Sequence, residues 1–165
     1  MNQRSFDPLR ALETLVDHGV RFVMIGGLAG RTYGSTLITN DLDICYDRKR
    51  PNVIKLVKAL KSLNASLRGV EETVPFLLEP DTILAGDHFN FDTDAGPLDC
   101  LGTPAGTRGY QQLAATATDV SLGTFMIKVA SIEDLIAMKE AAGRPKDRIA
   151  IEVLSALREE IERPR

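Results

Sequence analysis

The chain has 165 residues, 44% hydrophobic and 26% charged, with a formal net charge of −3, the balance of one ordinary globular domain. That charge excludes a general basic field for nucleic acid, and no apolar run approaches the ~20 residues of a membrane span. The two cysteines, Cys45 and Cys100, are too few for a disulfide framework and lack metal-ligand spacing, so they read as buried free thiols.

The N-terminal MNQRSFDPLR holds no apolar signal core, so a cytoplasmic protein with no membrane partner is the default expectation. One domain is expected over 1–165, with a core over 1–128 and C-terminal helices over 131–163.

Residues 7–18 predict a helix. Asp7 is its N-cap, Pro8 suits the first position, and Gly19 stops it. Leu9, Leu12, Leu15 and Val16 form its apolar stripe, and His18 is well placed at its end. Val20–Ile25 reads as a buried strand, after which Gly26-Gly27 lets the backbone turn where a side chain would clash. Asp41–Tyr46 reads as a second strand. Pro51 opens a helix to about Leu63, with Val53, Val57 and Leu60 inward and Lys55, Lys58 and Lys61 on a solvated face.

Residues 64–86 show no clear period. Asp87–Asp92 and Pro97–Gly102 predict a hairpin around Thr93-Asp94-Ala95-Gly96. A helix follows over 107–117, then a weaker hairpin, Val120–Leu122 with Phe125–Val129, around Gly123. Ser131-Ile132-Glu133-Asp134 resembles a capping box for a helix to about Ala142. Gly143 breaks that helix and Pro145 restarts it, with Asp147 near the positive end of the new helix's dipole. The mixed order of elements predicts an α+β (mixed α/β) fold.

Charge is segregated. Residues 48–70 carry seven Lys or Arg and no acid, whereas residues 71–100 carry eight Asp or Glu and no Lys or Arg. The basic block is suited to a polyanion and the acidic block to a divalent cation.

The chemistry concentrates in GGLAGRTYGSTLITNDLDI, residues 26–44. Residues two apart on a strand share a face, so Asp41 and Asp43 project together while Leu42 and Ile44 enter the core. Cys45 shares their face and reads as packing. Two carboxylates so close repel unless a cation lies between them, and a half-dry pair seats Mg²⁺ (or Mn²⁺), which shares its shell with substrate phosphates. The Gly26-Gly27 loop can offer backbone N–H groups to those phosphates, with Ser35, Thr36 and Thr39 as hydroxyl donors. A third acid completes such a site or serves as base. Among Asp87, Asp92, Asp94 and Asp99, the best fit is Asp99 in the apolar strand PLDCL. His88 lies beside that strand.

A Gly-Gly pair, thirteen residues, D-L-D-I and a later L-D-C resemble the signature of the nucleotidyltransferase superfamily that shares the DNA polymerase β fold. The run DLIAMKEAAGRPKDRIAIEVL looks most similar to the abortive-infection (AbiE) toxin-type bacterial branch. The resemblance covers 20–102 and 131–154. It implies a mixed β-sheet flanked by helices, and transfer of a nucleoside monophosphate from an NTP, ATP included, to an acceptor hydroxyl. By the same resemblance, Asp41 and Asp43 carry metal, Asp99 is the third ligand or the base, Gly26 and Gly27 frame the triphosphate, and Lys139 reaches the phosphates. One departure stands out. Relatives commonly read R-x-T-x-D-x-D, and here Leu37 replaces the Arg, leaving Arg31 as the candidate substitute.

Three acceptors follow from the resemblance: tRNA, as for toxin-like relatives in toxin–antitoxin systems; a partner protein's hydroxyl; or a small hydroxylated molecule, as for aminoglycoside and lincosamide enzymes. The alternative class is a non-catalytic binding module or antitoxin on a degenerate fold. Leu37 favours it, and three intact carboxylates oppose it.

Overall fold

A computed structural model describes residues 5–164 apart from Glu72 and Val74. Residues 1–4, where the signal-core reading begins, lie outside the described residues, as do Glu72 of the acidic block and Arg165.

The first helix, α1 (Pro8–Asp17), starts where Asp7 accepts a hydrogen bond from the Arg10 backbone N–H, and Pro8 occupies its first turn. The Val20 N–H is still tied to the Leu15 carbonyl, so β1 (Phe22–Ile25) begins two residues later than the hydrophobic run predicts. The next elements are α2 (Gly26–Thr32), β2 (Leu42–Tyr46) and α3 (Arg50–Ser62). Asp41 sits in a bend immediately before β2 rather than inside it. Lys55, Lys58 and Lys61 are exposed on α3, while Val53, Val57 and Leu60 are buried.

The segment without a period contains the two-residue β3 (Ser66–Leu67) and the single-turn α4 (Pro80–Ala85). Beyond it, β4 (His88–Thr93) and β5 (Gly96–Leu101) form the expected hairpin, with Gly96 at φ +97° in its turn. Then come α5 (Tyr110–Thr116), the hairpin of β6 (Thr118–Ser121) and β7 (Met126–Val129), α6 (Ile132–Ala142) and α7 (Asp147–Glu162). Ser131 caps α6 by accepting from the Asp134 N–H. Gly143, at φ +62°, ends it in the left-handed conformation, as the sequence predicts.

The strands form one seven-stranded mixed sheet, ordered β3-β4-β5-β2-β1-β7-β6. The β2–β5 and β1–β7 pairs are parallel and the others antiparallel. All four residues of β1 are buried, so both faces of the sheet centre are covered. Residues from α1, α3, α6 and the central strands share one core, with Leu15, Ile44, Leu56 and Val129 fully buried. Both cysteines lie in it as free thiols.

A polar clamp fixes α3 to the central strands. Asn52, 3% exposed, accepts from the Arg21 N–H and donates to the Arg21 and Asp47 carbonyls. Asp47, equally buried, pairs with the Arg21 guanidinium.

The basic and acidic blocks meet each other. Arg48 pairs with Asp87, Arg50 with Asp81, and Arg68 with Asp92 and Asp99. Three of the block's cations are thus committed within the chain, which corrects the expectation that the whole block faces a polyanion.

Candidate active site

The sheet register assembles the carboxylates. Asp43 on β2 is the direct Cα partner of Asp99 on parallel β5, and Ile25 on β1 lies opposite Asp43 from the other side. Asp41 joins them from the bend before β2, and carboxylate oxygens of Asp41, Asp43 and Asp99 lie within 4.8 Å of one another. Burial, then the negative charges of Asp41 and Asp99, push the Asp43 carboxyl up to about 8, with Lys139 opposing. Such a half-buried, mutually repelling triad has oxygen donors that could hold a hard divalent cation.

The glycine pair is required by this approach. Gly26 has φ +73°, and a Cβ there would lie 2.1 Å from Asp43 Oδ2. A Cβ on Gly27 would lie 2.8 Å from the Thr39 Cβ. The start of α2 therefore presses backbone directly against the carboxylates, as the sequence predicts for a close turn.

Two of the three acids have a supporting partner of their own. Thr39 Oγ1 donates to Asp41 Oδ1 at 3.2 Å and to the Asp41 carbonyl at 3.3 Å. Asp99, its side chain 14% exposed, is paired with Arg68 at 2.9 Å. Arg68 also bonds the Phe91 carbonyl and Asp92.

A second polar cluster stands where α6 meets α7. Asp147 is 2% exposed and accepts from Lys139 Nζ at 3.4 Å, from Arg144 Nε at 2.8 Å, and from the Arg144 Nη2 and backbone N–H at 3.2 Å each. The Arg144 hydrogen bonds hold the Asp147 carboxyl below its ordinary range. Lys139 and Arg144 are both close enough to Asp43 for mutual attraction. Asp147 is thus a buried anchor for two cations, more than a complement to a helix dipole.

One cavity of about 720 Å³ joins these parts. Asp41, Asp43, Asp99, Gly26, Gly27, Ser35, Thr39, Lys139 and His88 all line it. Ser35 is buried, and its Oγ accepts from the Leu37 N–H at 3.3 Å. Arg31 does not line the cavity: it is exposed and its guanidinium donates to the Leu37 carbonyl. The structure thus places Arg31, the expected substitute at the phosphates, off the cavity lining with its guanidinium on the Leu37 carbonyl. Arg68, Arg144 and the anchoring role of Asp147 were not foreseen. Arg144 and Asp147 lie within the run DLIAMKEAAGRPKDRIAIEVL, whereas Arg68 lies in a segment with no period.

The seven-stranded mixed sheet and the helices packed on it have the fold of solved nucleotidyltransferases. Lincosamide antibiotic adenylyltransferase LnuA, solved with lincomycin bound, superposes with a TM-score of 0.61 at 13% identity, covering 91% of this chain and 95% of that one. ANT(2")-Ia, solved with adenylyl-2"-tobramycin, superposes with a TM-score of 0.58 at 16% identity, covering 93% and 87%. At these identities the likeness is one of fold. No protein-family model and no curated protein sequence matches the chain.

Proposed function

We propose that this chain is a metal-dependent nucleotidyltransferase that moves a nucleoside monophosphate from an NTP to an acceptor hydroxyl. The observation that carries the reading is the Asp41–Asp43–Asp99 triad, pressed against a glycine turn in a cavity that also holds Lys139 and Arg144. Asp41 and Asp43 would hold Mg²⁺ or Mn²⁺, with Asp99 beside them. A divalent cation there supplies positive charge to phosphoryl oxygens.

The chain's own groups support the rest. Gly26 and Gly27 keep the approach to Asp43 free of side chains. Lys139 and Arg144 offer cations to the triphosphate. Asp99 has one oxygen committed to Arg68, and its carboxylate would serve as the third metal ligand or take the acceptor's proton. The acceptor oxygen then bonds to the α-phosphorus, the bond from that phosphorus to the bridging oxygen breaks, and pyrophosphate leaves. The fold neighbours that act on antibiotics favour a small hydroxylated acceptor over tRNA or a partner protein, and no observation here favours the AbiE-type reading or a toxin–antitoxin role over it. No helix among the described residues is long and apolar enough to cross a membrane.

The test supplies α-³²P-labelled NTPs, one base at a time, with Mg²⁺ and a cell extract containing RNA, protein and small molecules. Label is expected in an acceptor with wild type and not with Asp43→Ala. No transfer with any NTP, together with no Mg²⁺–NTP binding, would leave the non-catalytic reading.

A further inference from the structure

Resting on the nucleotidyl-transfer reading, we infer that the acceptor is a small hydroxyl compound with an apolar face and few or no ammonium groups. The argument starts from the carboxylates. Among the described residues, those lining the cavity are Asp41, Asp43, Asp99 and Asp147. The first three form the metal-ligand set, and Asp99 is further committed to Arg68. Asp147 is saturated by Arg144 and Lys139. Just outside the lining, Asp87 is held by Arg48 and Asp92 by Arg68. No uncommitted carboxylate is left for a polyamine, and an ammonium that leaves water without one carries a large desolvation cost.

The remaining wall has a different chemistry. Leu37 and Ile38 on the loop before β2, Leu101 and Pro104 beyond β5, and Met138 on α6 line the same cavity. Ile38 is 88% exposed, an apolar side chain offered at the rim with nothing of this chain over it. Thr103 adds hydrogen-bonding capacity without charge. Such a wall gains by covering an apolar face and hydrogen-bonding hydroxyls. Lys146, which lines the cavity and has no carboxylate partner among the described residues, adds to the bias against a polycation.

The experiment measures binding by calorimetry in the presence of Mg²⁺ and the α,β-methylene analogue of each NTP. Two probes are compared: phenyl β-glucoside, neutral and hydroxylated with an apolar face, and kanamycin, a hydroxyl-rich polyamine. The glucoside is expected to bind at least tenfold more tightly than kanamycin. Ile38→Asp, at an exposed position that leaves the core untouched, is expected to narrow or invert that ratio. Equal or tighter kanamycin binding by wild type, no binding of either probe while the Mg²⁺–nucleotide binds, or a ratio unmoved by Ile38→Asp each overturns the inference. Failure of the Mg²⁺–nucleotide itself to bind overturns the nucleotidyl-transfer reading instead, so the two failures are distinct.

Discussion

Arg68 Nη2 lies 2.9 Å from Asp99 Oδ1, and Asp99 stands directly opposite Asp43 across a parallel strand pair. One oxygen of the third aspartate is therefore fixed by a cation that no local pattern announced. The pair orients Asp99 beside two other carboxylates. Asp99→Asn is expected to lower the transfer rate about 10³-fold, roughly 4 kcal/mol of barrier. Arg68→Gln should keep the metal ligands and lower kcat about tenfold, with little change in KM for the NTP. Pyrophosphate release at saturating and limiting NTP separates the two constants. A change in KM alone would place Arg68 in nucleotide binding instead.

The raised Asp43 carboxyl fixes the sign of a pH effect. Its pKa is about 8 in the folded chain against an ordinary 3.8. Between these values the folded state keeps a proton that the unfolded state has released, so stability falls as pH rises through that window and levels off above it. In EDTA, wild type should lose melting temperature from pH 5 to pH 8 more steeply than Asp43→Asn. Saturating Mg²⁺ should reverse the loss in wild type alone, and below pH 8 apparent Mg²⁺ affinity should rise up to about tenfold per pH unit. Parallel slopes for the two proteins would refute the assignment. Asp147 has the opposite sign: its carboxyl is depressed by Arg144, so its contribution is present above the ordinary carboxylate range and lost at lower pH.

Gly26→Ala tests the close approach. The new Cβ would sit on Asp43 Oδ2, at a backbone φ of +73° that alone costs a side-chain-bearing residue about 1–2 kcal/mol. Thermal unfolding should show a loss of several degrees. The Mg²⁺-induced stabilisation should also vanish, because Asp43 must rotate away. A variant that melts early but keeps the full Mg²⁺ shift would show that the glycine serves the turn and not the site.

Asp147→Asn keeps the shape of the anchor and removes its charge. Arg144 and Lys139 then repel and lose their shared partner, so the cations are presented loosely. KM for the Mg²⁺–NTP should rise about tenfold, equivalent to about 1.4 kcal/mol, with kcat much less affected. Steady-state kinetics across NTP concentrations decides it, and a fall in kcat at constant KM would contradict the anchor role.

These residues also show which parts of the molecule a sequence discloses. Gly26-Gly27, Asp43 and Asp99 were legible because strand alternation and glycine chemistry act within a few neighbours and the register then sets Asp43 against Asp99, whereas Asp41 joins them from a bend outside the strand that the sequence predicts for it. The hairpin at Thr93–Gly96 and the Ser131 cap were legible for the same reason. Arg68 was not, because its place depends on β3, two residues long and paired with β4. Its segment has no period to read. Asp147 fits a helix start whether exposed or buried, and its burial depends on Lys139 of α6 and Arg144 closing on it in three dimensions. The two charge blocks look like surfaces for outside partners until folding sets Arg48, Arg50 and Arg68 against Asp87, Asp81 and Asp99.

The Asn52 clamp separates stability from function. Its side chain satisfies the Arg21 N–H and two carbonyls at a position 3% exposed, and it does not line the cavity. Asn52→Ala leaves the Arg21 N–H and the Asp47 carbonyl without this partner, while the Arg21 carbonyl keeps the Asp47 N–H, at about 1–3 kcal/mol for each lost group in the unrelaxed limit. Urea unfolding should show a loss of about 2–4 kcal/mol, because water reaches part of the gap. The carboxylate triad is untouched, so the Mg²⁺-induced rise in melting temperature should stay at its wild-type size. A variant with normal stability would remove the clamp from the account of how α3 is held. A variant that also lost the Mg²⁺ shift would mean that the ends of β1 and β2 bearing the clamp are coupled to their opposite ends, where Ile25 and Asp43 pair.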